Sequence, residues 1–135
     1  MKVKIKGADD SFTPKEKEAI NVYLKFLQQE APLKVDFEIT FLPHRKGGMT
    51  TGVRKAHHII HILAKDRLLI DVMRTLAHEW IHEYQHQKLG LKDTAKIQDI
   101  GGPEENMANA LAGIYVKKFA KEFPEMTDII YGEKD

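Results

Sequence analysis

Hydrophobic and polar residues follow clear periods in the N-terminal part of the chain. Apolar residues at positions 3 and 5 alternate with lysines, which is the pattern of a short half-buried strand. A helix is predicted over 14–31, because Thr13 can cap its first N–H groups and Glu16 completes a capping box. Strict alternation of apolar and polar residues over 35–41 then predicts a second strand.

The rest of the chain adds two strands and two longer helices. Residues 49–54 and 57–63 have the composition of short strands, and a helix over about 66–89 follows them and ends at Gly90. A polar loop leads to a last helix over about 103–123, which the next residue, a proline, stops. Strands and helices look segregated along the chain, so we expect an α+β fold with a small, mostly antiparallel sheet.

The composition fits a single soluble domain over residues 1–135. Hydrophobic residues make up 42% of the chain and charged residues 30%, which are ordinary values for a globular protein. A net charge of +1 gives no electrostatic reason to expect nucleic acid or an anionic membrane as a partner. The absence of cysteine excludes disulfides, thiolate nucleophiles and cysteine-based zinc sites. The N-terminus has no apolar run typical of a signal peptide or a spanning helix, so we expect a cytoplasmic location.

Candidate chemistry lies in the sequence HEWIH, residues 78–82, within the long predicted helix. Residues four apart lie on one face of a helix, so His78 and His82 can present two imidazoles to one metal ion. Glu79 lies beside them, where its carboxylate can accept a proton from water held by that metal. Zinc suits this task because it lowers the pKa of bound water to about 7 and polarises carbonyl groups.

A helical projection separates these histidines from the apolar residues of the same helix. The polar side carries Thr75, His78, Glu79, His82 and His86. One broad apolar arc on the other side contains Leu69, Ile70, Met73, Leu76, Ala77, Trp80, Ile81 and Tyr84. A packed core gives no reason to gather histidines in this way, so we favour a metal site. The alternative is a polar face that only contacts water.

Catalytic zinc needs a third protein ligand, with the fourth position left for water. We favour Glu105, because it shares a helical face with Ala108 and Ala112, whose small side chains let two helices approach closely. Asn109, one turn beyond Glu105, is expected to hydrogen-bond a ligand histidine. Other candidates for the third ligand are Glu104, Asp93, Asp99 and His86. If one of them is the ligand, Glu105 is an ordinary first-turn acid favoured by the helix dipole.

HEWIH followed by Glu105-x-x-Ala108-Asn109 resembles the gluzincin metallopeptidases, in which a glutamate from a later helix completes a zinc site. The likeness covers about residues 50–123 and is greatest to the compact ImmA/IrrE-type peptidases and the minigluzincins. One departure is Ile81, where the ImmA/IrrE type commonly has a glycine.

The resemblance implies both a fold and a division of roles. The fold is zincin-like, with a small sheet packed against an N-terminal helix, an HExxH helix and a C-terminal helix that carries the glutamate. His78, His82 and Glu105 are expected to bind Zn2+, with Glu79 as general base and then general acid, and Asn109 as support. We therefore expect a zinc metallopeptidase that hydrolyses peptide bonds in a peptide or protein substrate. Two alternatives remain open: a zinc-binding module without turnover, and a domain that binds extended peptides.

Two further segments carry predictions. His57 and His61 lie on one face of a predicted strand and His58 on the other. We interpret His57 and His61 as solvent-exposed, with a second metal site or an oxyanion-stabilising imidazole as alternatives. The apolar residues after Pro124 are expected either to pack against the domain or to fold across the cleft as a plug.

Overall fold

The computed structural model describes residues 2–42, 52–56, 58–64, 67–89 and 103–131. The strands in these ranges are β1 Val3–Lys6, β2 Phe37–Leu42, β3 Gly52–Ala56 and β4 Ile59–Leu63. The helices are α1 Ala8–Ser11, α2 Pro14–Glu30, α3 Leu69–Leu89, α4 Pro103–Glu122 and α5 Thr127–Ile130, with a 3₁₀ turn at Pro124–Met126. None of the helices described is both long and apolar enough to cross a membrane.

The strands form one mixed sheet in the order β1-β2-β4-β3. β1 pairs with β2 in parallel, with Val3 opposite Phe37, and β2 pairs with β4 in parallel, with Glu38 opposite Ile59. β3 and β4 are antiparallel. The α+β class is therefore confirmed, whereas the prediction of a mostly antiparallel sheet is wrong.

The parallel pairings follow from the path of the chain. α2 connects β1 to β2 as a crossover, which returns the chain to the end of the sheet from which β1 started. β3 runs opposite to β2, and the turn into β4 reverses the chain again, so β4 starts at the same end as β2. The order strand–helix–strand at the N-terminus is that of a parallel unit. Strands and helices are therefore not segregated in this part of the chain.

α2 begins and ends where its capping residues predict. Thr13 Oγ1 accepts a hydrogen bond from the Glu16 N–H at 3.2 Å, and Glu16 Oε1 accepts one from the Thr13 N–H at 2.9 Å. At the other end, the Ala31 N–H donates to the Leu27 carbonyl at 2.8 Å, and the helix stops at Glu30. The predicted helix boundaries are therefore confirmed.

α3 begins at Leu69, slightly later than predicted, and an arginine in the turn before it contacts both β4 and α3. The Arg67 guanidinium donates to the Leu63 carbonyl at 2.7 Å, to the Asp71 carbonyl at 3.0 Å and to Thr75 Oγ1 at 2.8 Å. These contacts tie the end of β4 to the first turns of α3.

The core lies between the sheet and helices α2, α3 and α4. Trp80 is fully buried, and its Nε1–H donates to the Ala31 carbonyl at 2.9 Å, which fixes α3 against the end of α2. The other large, fully buried side chains include Tyr23, Phe37, Phe41, Phe119, Ile20, Leu27, Ile60 and Met73. The motif helix is thus held on its apolar side by the centre of the domain.

The segment after α4 packs against the body of the domain. α5 contacts α2 and α3, and Ile130 is buried in the core, while Tyr131 is exposed. This is the packing alternative, and the described part of the tail gives no support to a plug. Residues 132–135 lie outside the described ranges.

Candidate metal centre

Burial of helix α3 extends beyond its apolar side to part of its polar side. Trp80 and Ile81 on the apolar arc are 0% exposed, and so are His82, Glu83 and Gln85 on other faces of the helix. α4 packs along α3 and covers the histidines. The alternative of a polar face that only contacts water is therefore wrong for Glu79, His82 and His86, which are buried, whereas Thr75 and His78 are partly exposed.

The two motif histidines converge on one carboxylate. The rings of His78 and His82 lie edge to face with centroids 4.7 Å apart. The Nε2 atom of His78 is 2.5 Å from Glu105 Oε1, and the Nε2 atom of His82 is 3.1 Å from Glu105 Oε2. One ligand atom from each of the three residues lies within 4.8 Å of the other two, so this group can hold a metal ion.

α4 brings Glu105 to this position by the face that the sequence predicts. Ala108 and Ala112 are buried against the neighbouring structure, followed along the same face by Val116 and Phe119. Small side chains near the start of α4 let its backbone come close enough for a glutamate to reach the α3 histidines. Among the described residues, His86 is buried but does not join the group. The side chain of Glu104 and residues 90–102, which include Asp93 and Asp99, lie outside the described part of the chain.

Both ring nitrogens of His78 face carboxylates. Nε2 contacts Glu105, and Nδ1 lies 3.0 Å from Glu79 Oε2. An ionised carboxylate only accepts hydrogen bonds, so both contacts need an N–H, which imidazole provides on both nitrogens only when it is charged. Burial lowers the pKa of His78, but hydrogen bonds and the negative charges of Glu79 and Glu105 outweigh burial and raise this pKa above its ordinary value.

A metal ion fits this donor set because it can replace the proton between His78 Nε2 and Glu105. In a neutral His78, Nδ1–H donates to Glu79 while the Nε2 lone pair is available to a metal. His82 has the matching arrangement, since its Nδ1 lies 3.0 Å from Gln85 Oε1. Two imidazole nitrogens and one carboxylate are the protein ligands of one class of catalytic zinc site, in which the fourth position is left for water or substrate.

The two remaining predicted site residues lie beside this group. Glu79 is 3% exposed and contacts the Nδ1 side of His78, away from the side that faces Glu105. Asn109 lies one turn beyond Glu105 and is exposed. Its hydrogen bond to a ligand histidine stays a prediction.

Sequence reasoning missed a contact next to the site between a buried glutamate and a partly exposed histidine. Glu83, which follows His82 directly, contacts the Nδ1 atom of His58. His58 precedes β4 in a turn with a φ of 63°, so strand alternation does not determine its direction. His61 lies on β4 and is partly buried, and His57 is outside the described residues. The available signal was an acid directly after a predicted ligand histidine and four residues before Gln87.

Comparisons with known proteins find no relative. No protein-family model matches the chain, no curated protein matches it, and no solved structure matches it. The resemblance to gluzincin peptidases therefore rests on the motif residues and their positions.

Proposed function

We propose that this chain is a zinc-dependent metallopeptidase of the gluzincin type, with the zincin-like fold as part of the same proposal. The observation that carries it is the convergence of the His78 and His82 Nε2 atoms on the carboxylate of Glu105. Two separate helices supply these groups, as the resemblance implies. A largely buried cluster of two imidazoles and a carboxylate is costly without a ligand, because each charged or polar group gives up much of its water.

Zinc is favoured by the donor set together with the motif glutamate. Two histidines and a carboxylate with an open position are typical of catalytic zinc, although the same ligand types can also hold non-haem iron. Glu79 favours hydrolysis, because attack by water needs a proton acceptor close to the metal. Metal analysis of the purified protein separates the two, since an iron-loaded protein would contradict the zinc proposal.

In the proposed reaction, His78, His82 and Glu105 hold the metal. When bound, zinc lowers the pKa of water and polarises the carbonyl of the scissile peptide bond. Glu79 accepts a proton from the attacking water and donates it to the leaving amine. Because Glu79 contacts the Nδ1 side of His78, its side chain has to turn toward the Glu105 side of the ring for this role. Such contacts often form fully only when substrate is bound.

One observation favours a second candidate, a metal-binding module without turnover. The contact between Glu79 Oε2 and His78 Nδ1 is the kind of hydrogen bond that orients a ligand imidazole. In this alternative Glu79 only supports His78, and it never reaches a substrate. The two candidates predict different effects on peptide hydrolysis when Glu79 is replaced by a neutral residue.

Glu79→Gln separates the peptidase from the module. The glutamine amide oxygen can still accept a hydrogen bond from His78 Nδ1–H, but it cannot take a proton from water. The peptidase predicts wild-type zinc content and a loss of hydrolysis by a factor of about 10² to 10⁴, measured on a quenched-fluorescence peptide library.

Glu122→Gln provides the matched control, because Glu122 is an exposed glutamate on α4. This variant should cleave peptides as fast as the parent. Equal rates of peptide cleavage by Glu79→Gln and the parent would show that Glu79 is not the general base. A zinc-loaded parent that cleaves no peptide in the library would support the module instead.

A further inference from the structure

Glu83 is a buried carboxylate that the proposed reaction does not use. Its side chain is 0% exposed, although it directly follows the candidate ligand His82. A buried carboxylate needs hydrogen-bond donors to replace the water that it loses. Its Oε2 atom contacts His58 Nδ1 and accepts a hydrogen bond from Gln87 Nε2 at 2.7 Å. One oxygen atom of Glu83 thus contacts both His58, in the turn before β4, and Gln87, near the C-terminus of α3.

The first arm of this network runs through His58 to the sheet. His58 has a φ of 63°, a backbone conformation that residues other than glycine adopt rarely. Its carbonyl accepts a hydrogen bond from the Glu38 N–H of β2 at 2.9 Å, while its ring contacts Glu83. The backbone of this turn is therefore fixed to β2, and its side chain is fixed to α3.

The second arm runs through Gln87 to the connection between α2 and β2. Gln87 Oε1 accepts hydrogen bonds from the Lys34 N–H at 2.7 Å and from the Val35 N–H at 3.1 Å. β2 and β4 are parallel, and both arms reach the end of the sheet at which these two strands begin. Glu83 therefore attaches α3 to that end of the sheet directly through His58, and it orients Gln87, which makes the second attachment.

Such an attachment affects the metal ligands because they share the helix. Side-chain atoms lie about 5 Å from a helix axis, so rotating α3 by about 10° would move a ligand atom by roughly 0.9 Å. Metal–ligand distances in functional sites vary by only about 0.2 Å. Apolar contacts can slide by such an amount, whereas directional hydrogen bonds resist it.

We propose that Glu83 is a positioning residue for the candidate metal site and that, through His58 and Gln87, it fixes the rotation of α3 against the sheet. This role rests on the metal binding in the proposed function and is independent of peptidase activity. The proposed role is to set the orientation of the His78 and His82 side chains. Glu83 itself does not bind the metal.

Two glutamines offer a matched pair of variants. Gln28 braces the same connection from α2, because its Nε2 donates to the Leu33 carbonyl at 3.0 Å and its Oε1 accepts from the Leu33 N–H at 3.1 Å. Gln87→Ala removes the hydrogen bonds between α3 and the connection that leads to β2. Gln28→Ala removes those between α2 and the same connection, which do not involve α3. Both should lower thermal stability, but only the first should disturb the metal ligands.

Co²⁺ is the probe, because its visible absorption spectrum reports the geometry of its ligands. Glu83→Ala and Gln87→Ala should change this spectrum and weaken Co²⁺ binding about 10-fold, whereas Gln28→Ala should change neither. Glu83→Gln should keep the parent spectrum, since its amide oxygen can accept both hydrogen bonds. Circular dichroism of each variant shows that it is folded.

Parent-like spectra and affinities in folded Glu83→Ala and Gln87→Ala would overturn the positioning role. If Glu83→Ala does not fold, Gln87→Ala and Gln28→Ala decide, and equal effects of these two would also overturn it. Failure of the unmodified protein to bind Co²⁺ would overturn the proposed metal site and this role with it. The spectrum of the unmodified protein therefore distinguishes the two failures.

Discussion

Replacing Glu105 with glutamine tests whether α4 supplies a metal ligand. The Glu105 side chain is 13% exposed, and its two oxygens contact the Nε2 atoms of His78 and His82. Glutamine has the same length and can keep contacts with both rings, because its oxygen accepts and its nitrogen donates hydrogen bonds. It lacks the negative charge that attracts a metal cation. We expect little change of stability in a chelator and a large loss of zinc binding.

The size of the effect follows from linkage between binding and folding. Zinc at about 100 times its dissociation constant adds about 2.7 kcal/mol to the free energy of unfolding. With 135 residues, the entropy of unfolding is about 0.28 kcal/mol per kelvin, so Tm rises by roughly 10 °C. If the substitution weakens zinc binding 100-fold, the same zinc concentration adds only about 0.4 kcal/mol, or 1 to 2 °C.

The assay is thermal unfolding of each variant with zinc and with a chelator. Glu104→Gln is the control, because Glu104 directly precedes Glu105 in the first turn of α4 and its charge makes a similar contribution to the helix dipole. This control should keep the full zinc-dependent rise in Tm, and loss of the rise in Glu104→Gln alone would assign the ligand to Glu104. A rise of about 10 °C that survives in Glu105→Gln would refute the assignment of Glu105 as a ligand.

Four other predictions concern the stability and metal affinity of the same chain. Tyr23→Phe should raise the free energy of unfolding by about 1 kcal/mol in urea titrations, because the described residues offer its buried hydroxyl no hydrogen-bond partner; a lower value would show that it has one. Thr13→Ala should lower the same quantity by about 1 kcal/mol through loss of the capping box, and no change would remove that role. Asn109→Ala should weaken zinc binding about 10-fold in chelator competition, and unchanged affinity would make Asn109 a surface residue. Zinc affinity should fall as the pH falls and protons compete for His78, and Glu79→Gln should shift this loss to lower pH because Glu79 helps to raise the His78 pKa.

Local signals predicted the helices well because each signal acts within a few residues. The capping box at Thr13 and Glu16 fixed the start of α2, and Pro124 marked the end of α4. Sheet direction depends instead on how the chain returns between strands. The helix between β1 and β2 brings the chain back so that the two strands are parallel. A count of strands and helices does not give this direction.

The candidate site divides in the same way. Helical spacing placed His78 and His82 together, and the alanine face of α4 placed Glu105 toward them. A projection of one helix cannot tell whether water or a second helix covers its polar face, so the burial of Glu79 and His82 was not predicted. The contact between Glu83 and His58 depends on an unusual backbone angle in a turn, which no periodic pattern encodes.

The most direct test of the metal site is the metal content of the purified protein. The account predicts about one zinc per chain in the parent, because two histidines and one glutamate form a three-ligand site. The double variant with His78→Ala and His82→Ala should contain none, while His86→Ala should keep its zinc, since His86 is outside the group. Stoichiometric zinc in the double variant, or a parent that takes up no zinc, would contradict the account.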